Sequence, residues 1–183
     1  IGTKGYIGTG AENSSSKDDF WEYDPIGDTW TQKANFGGSA RYRAVGFSIG
    51  AKGYIGTGYF GSGSNDFWEY DPVENTWTQK ANFGGTARYG AVGLCVGNKG
   101  YIGTGDIGTS GSNLRVNDVW EYDPVGNTWT QKANFGGSAR AYAVGFSIGA
   151  KGYLGTGYDP GYKKDFWDYD LPGNIWTQKA DFG

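Results

Sequence analysis

The chain contains no histidine and no methionine, a single cysteine, and five prolines among 183 residues. Without imidazole, the copper and zinc sites that depend on it are excluded, and one thiol cannot replace it. One cysteine, Cys95, forms no disulfide within the chain, so cysteine usage does not identify a redox compartment. It occupies the place that Ser48 and Ser147 hold in sister segments, and reads as a small residue in a packed strand. No apolar run approaches the ~18 residues of a membrane helix, and no segment resembles a signal peptide. Lacking methionine, the chain is expected to be a processed or excised piece of a longer product, or one whose start has been trimmed. Charge of one sign is also missing: 16 basic and 19 acidic residues leave a net charge of -3, with no footprint for nucleic acid or an anionic membrane.

Glycine and aromatic residues are abundant instead. There are 35 glycines, and 17% of the residues are Phe, Trp or Tyr, a balance that excludes a helical domain because no stretch keeps a 3.6-residue period without glycine. Four near-copies of a unit of roughly 47 to 52 residues account for the chain. Each carries Trp-Thr-Gln-Lys-Ala, beginning at Trp30, Trp77, Trp129 and Trp176. The copies are unequal at the ends. Ile1 to Thr3 is only the tail of a segment that is complete at 40–50, 87–97 and 139–149, so the first unit is expected to lack its opening strand.

Within residues 37–83 the pattern reads as a four-stranded antiparallel meander. Val45, Phe47 and Ile49 alternate with Ala44, Gly46 and Ser48, the period of a strand with one closely packed face. A tight turn at Gly50-Ala51-Lys52 leads to Gly53–Gly58, and a third strand runs Asp66–Asp71, closed by Pro72. Thr76–Ala81 is the fourth strand. Gly56 and Gly58, like Gly8, Gly10, Gly103 and Gly105, are expected where bulky rings come close. The rings are two tryptophans per unit, adding Trp21, Trp68, Trp120 and Trp167 to the four above. Buried, each contributes a gross ~4–6 kcal/mol.

These residues resemble the kelch repeat: a glycine pair closing the second strand, then Tyr-Asp-Pro, then a turn and Thr-Trp. The sequence has Tyr23-Asp24-Pro25 to Trp30, Tyr70-Asp71-Pro72 to Trp77, and Tyr122-Asp123-Pro124 to Trp129. The fourth unit departs, with Tyr169-Asp170-Leu171-Pro172 and Ile175-Trp176. The resemblance implies an all-β kelch-type β-propeller, one domain over 1–183, with blades at about 1–36, 37–83, 84–135 and 136–183. Three blades would be complete and the first three-stranded. The strand beginning at Arg41 would lie nearest the axis and that of Trp77 outermost.

A kelch propeller implies a non-catalytic binding or scaffold module. The second-to-third-strand loops vary most between units: 11–18, 59–65, 106–117 and 158–164. By family analogy they share a face with the entry to the innermost strand. Candidate contact residues there are Arg41, Tyr42, Arg43, Arg88, Tyr89, Arg140 and Tyr142, with Tyr59, Phe60, Arg115 and Asp159 from the loops. Arg41, Arg88 and Arg140 recur, which favours a structural role; Arg43 and Tyr142 differ between units and are the better contacts. Arginine with tyrosine suits an acidic peptide or a glycan. The other reading is part of a secreted carbohydrate-active or oxidase-like kelch enzyme whose catalytic residues lie outside this chain. Here Glu22, Glu69, Glu121 and Asp168 recur at one strand position and read as exposed blade charges rather than acid–base groups. No cofactor or metal is expected; the oxygen-rich loop 106–117 matches no calcium pattern. The expected partner is a second copy, closing a ring of eight blades, or further repeats of a longer chain, because an unfinished ring exposes the strand at Gly5–Gly10. A secreted or surface location fits the composition, as does an intracellular one.

Overall fold

The computed structural model describes residues 1–109 and 114–183, so the middle of the 106–117 loop lies outside the described residues. Every regular element among them is a strand. The first sheet holds β1 (Gly5–Glu12), β2 (Ser15–Asp24) and β3 (Thr29–Gln32), in that order. The second holds β4 (Val45–Ile49), β5 (Lys52–Gly56), β6 (Phe67–Asp71) and β7 (Thr76–Gln79). The third holds β8 (Val92–Val96), β9 (Lys99–Gly103), β10 (Val119–Asp123) and β11 (Thr128–Lys132). The fourth holds β12 (Val144–Ile148), β13 (Lys151–Gly155), β14 (Phe166–Asp170) and β15 (Ile175–Lys179). All are antiparallel meanders, three of four strands and the first of three.

One segment expected to be a loop is a hairpin. Residues 11–18 extend β1 and β2, and the chain reverses at Asn13 and Ser14, both with positive φ (47° and 68°). Two successive left-handed residues form the turn whose twist suits paired strands, and asparagine tolerates that conformation.

Three apolar clusters lie between successive sheets, so the two middle blades bury both faces against neighbours and the first and last bury one. Glycine makes the approach possible. A Cβ on Gly100 would sit 2.4 Å from the Phe47 ring of the preceding blade, and one on Gly56 would sit 2.6 Å from Phe67. The tryptophans of the outer strands join the same contacts. Trp77, Trp129 and Trp176 each donate Nε1–H to a carbonyl of the preceding blade, Ala34, Ala81 and Ala133, at 3.1–3.2 Å. The amides of those alanines donate back to Asn75, Asn127 and Asn174 at 2.8–2.9 Å. Phe36, Phe83 and Phe135 insert edge-on against the same three indoles, with centroids 5.1–5.2 Å apart.

The repeated acidic residue of the third strand is not an exposed charge. Glu22, Glu69 and Glu121 are half-buried, each accepting a tyrosine hydroxyl (Tyr6, Tyr54, Tyr101) and lying near Lys33, Lys80 or Lys132. Asp168, one methylene shorter, pairs with Lys151 and Lys179 at 2.9 and 3.1 Å. Burial followed by the carboxylate contact pushes the Tyr6, Tyr54 and Tyr101 phenols well above their ordinary range, so they remain donors.

Candidate functional site

Three of the candidate arginines are interior. Arg41, Arg88 and Arg140 are buried to the guanidinium, and each makes the same set of bonds. Nη1 donates to the carbonyl of Thr57, Thr104 or Thr156 at 2.9 Å, and Nε to the carbonyl two residues back. Both Nη atoms fork onto Asp66, Asp118 or Asp165. The three threonines have φ of 57–60°, an unusual conformation for a β-branched residue, and it turns their carbonyls toward the arginine. These side chains fasten the inner-strand entry to its own blade and present no contact surface.

Burial raises the three aspartates, but hydrogen bonds from arginine and tryptophan outweigh it and hold them below the usual carboxylate range. A folded value below the unfolded one adds stability that is complete above the unfolded pKa, near ~3.9, and lost as pH falls through the folded values. Urea midpoints should therefore be flat from neutral pH down to about 5 and fall below about 4. A midpoint that stays level into strong acid would contradict this pairing.

Two residues further along each inner-strand entry lies Arg43, Gly90 or Tyr142. All three have positive φ (58–60°), and they bond from blade to blade: Gly90 N–H donates to the Arg43 carbonyl at 3.0 Å, and Tyr142 N–H to the Gly90 carbonyl at 2.8 Å. This backbone line brings side chains from three blades together. The exposed Arg43 guanidinium lies 5.2 Å from the Tyr42 ring, 5.6 Å from Tyr89 and 5.1 Å from Tyr142. Tyr59 bridges the rings, 5.4 Å from Tyr42 and 5.1 Å from Tyr89. Gly90 has to be glycine for this: a Cβ there would stand 2.6 Å from the Tyr142 ring. Burial, then the Asp106 carboxylate, pushes the Tyr89 phenol above its ordinary range. The site is thus a cation bordered by aromatic faces, with Tyr142 44% exposed.

The remaining candidates lie apart from it in contact terms. Phe60 covers the Arg41 guanidinium at 5.2 Å. Arg115 lies over Tyr158 at 4.7 Å, Tyr158 meets Tyr162 at 5.4 Å, and Asp159 is 3.9 Å from Lys163. Tyr158 and Tyr162 were not singled out by sequence reasoning; their position in a variable loop was the available signal. Among the described residues no three of His, Cys, Asp and Glu converge to hold a metal ion. Cys95 is half-buried against the core between the second and third blades, and burial raises its thiol.

Successive meanders packed face to face, joined near the axis and carrying a loop-lined rim, define a β-propeller architecture. The Kelch motif family matches residues 53–84 and 87–136. Those two stretches match the kelch motif, and the fold of the chain is that of a kelch-type β-propeller. A solved structure titled "Structure of YjhT" superposes with a TM-score of 0.84 at 19% identity, covering 100% of this chain and 64% of that one. The chain therefore spans about 64% of that relative's length. No curated protein matches by sequence.

Proposed function

We propose that this kelch chain is a non-catalytic binding module that takes a carboxylate-bearing ligand, an acidic peptide or glycan, at the Arg43 rim. The observation that carries the reading is the convergence of Tyr42, Tyr89 and Tyr142 on an exposed Arg43, at the inner-strand position where all three complete repeats differ (Arg43, Gly90 and Tyr142). A guanidinium gives a carboxylate two parallel hydrogen bonds, and the rings offer faces for an apolar or sugar surface. Ring completion, by further repeats of a longer chain or by a second copy, belongs to the same reading. The superposition over part of a longer chain supports further repeats.

Arrays of acidic peptides and acidic glycans test it. Arg43→Ala should weaken binding by roughly 10–100-fold, the value of one or two charge-assisted hydrogen bonds, and Arg43→Lys should restore only part. Folded protein that binds neither class, or an Arg43→Ala variant that binds as well as its parent, would overturn the assignment.

A further inference from the structure

In each four-stranded blade the loop between the second and third strands folds back on the inner-strand entry as a small antiparallel ladder. Tyr42 pairs with Tyr59 and Tyr59 with Gly63 in the second blade. Tyr89 pairs with Asp106 and Asp106 with Arg115 in the third, and Ala141 with Tyr158 and Tyr158 with Tyr162 in the fourth. The first pair of each ladder exchanges both backbone hydrogen bonds, at 2.8–3.1 Å. The rims are also tied to one another: Gly58 N–H donates to the Arg88 carbonyl at 2.9 Å, and Gly105 N–H to that of Arg140 at 2.7 Å. Loops fastened in this way hold their side chains at set positions, and these are positions where the units differ.

The ladders set a second cation–aromatic cluster beside the Arg43 cluster. Tyr89, which borders Arg43, stands two strand spacings from Arg115, about 10 Å between backbones. Tyr142, which also borders Arg43, directly follows Ala141, the residue paired with Tyr158. Arg115 lies over the Tyr158 ring, and Tyr162, 90% exposed, meets Tyr158 edge-on. The acid of these ladders, Asp106, is buried and accepts the Gly108 N–H at 2.8 Å, so it adds no negative charge to the surface between the two arginines.

We propose that the two clusters are successive subsites for one polymeric ligand, an acidic polysaccharide with a carboxylate on repeated pyranose units. The inference rests on the Arg43 reading above and narrows it to a ligand class. Each guanidinium receives a carboxylate, and the tyrosine rings between them receive the apolar faces of the sugar rings. Tyrosine hydroxyls, which both donate and accept, suit the scattered hydroxyls of a sugar. An acidic peptide fits this span less well, because its own N–H and C=O groups need backbone partners. Those of Tyr42, Tyr89, Gly90 and Ala141 are already engaged within the rim.

Calorimetric titration of the 183-residue chain with galacturonate oligomers of one to eight units tests this. Affinity should rise roughly 10–100-fold from the monomer to the longest oligomers, because the second contact is then made intramolecularly. Tyr162→Ala, which removes an exposed ring, should return the octamer to near the monomer's affinity and leave monomer binding unchanged. Arg115→Gln should do the same, whereas Arg43→Ala should weaken binding at every length. Octaglutamate should bind no better than the galacturonate monomer. Affinity that does not grow with length, or a length gain that survives both Tyr162→Ala and Arg115→Gln, sinks the two-subsite proposal and leaves the Arg43 reading standing. Octaglutamate binding as tightly as the galacturonate octamer overturns it in favour of an acidic peptide. Silence toward every galacturonate overturns it as well, and the Arg43 reading falls with it only if octaglutamate is silent too.

Discussion

Replacing Arg88 by alanine should lower the unfolding free energy by roughly 3–5 kcal/mol, as breaking a buried ion pair from one side does. Arg88 is buried, its partner Asp118 is largely so, and the Thr104 carbonyl depends on the same guanidinium. Removing the cation leaves a carboxylate and a carbonyl in the blade without their donors. The reciprocal test is Arg88→Met with Asp118→Leu. Removing both charges should recover much of the loss, because the desolvation cost disappears with them. Urea unfolding of the single and double variants checks this. An Arg88→Ala loss under about 1 kcal/mol would show that the pair is not structural.

Trp129→Ala should cost roughly 3–5 kcal/mol, the range for truncating a large aromatic side chain in a packed site. The indole contacts Phe67, Phe83 and Tyr122, and donates to Ala81 of the preceding blade. Trp30 opens the identical motif yet is 50% exposed, with Tyr23 its ring partner. Trp30→Ala should cost at most about 2 kcal/mol, because half of the ring is already in water. Equal losses at the two positions, in denaturant melts of matched variants, would mean that the end blade is packed like an interior one.

The contrast between these two tryptophans shows where the sequence was readable. Repetition, strand alternation and the Tyr-Asp-Pro and Thr-Trp signatures were enough for the meanders and their order, since alternation and turn chemistry are local. The three-stranded first sheet also followed, from comparing Ile1–Thr3 with its longer counterparts. The hairpin at Asn13-Ser14 was not expected, because its turn contains no glycine and left-handed φ at serine has little local signature. The third-strand carboxylates were misread as exposed because alternation says which side of a sheet a residue faces. It does not say that tyrosine and lysine side chains of the adjacent strands close over the carboxylate.

For the site, recurrence marked Arg41, Arg88 and Arg140 as structural and divergence marked Arg43 and Tyr142. The fork onto Asp66, Asp118 and Asp165 required geometry, since the partners are 25 to 30 residues apart. So did the meeting of Arg43 with Tyr142, which lie two blades apart and come together only through the backbone line across Gly90.

Local chemistry in the sequence determined the strands, their turns and the fourfold repeat of the blade. The packing of blade on blade decided the rest. It gave the apolar row of β8 a glycine-faced neighbour and left Val144, Phe146 and Ile148 of the same row 59, 42 and 62% exposed. It also set β1, the edge strand of the first sheet, beside a groove. Burial depends on what stands across the interface, and near-identical repeats differ only in their neighbours.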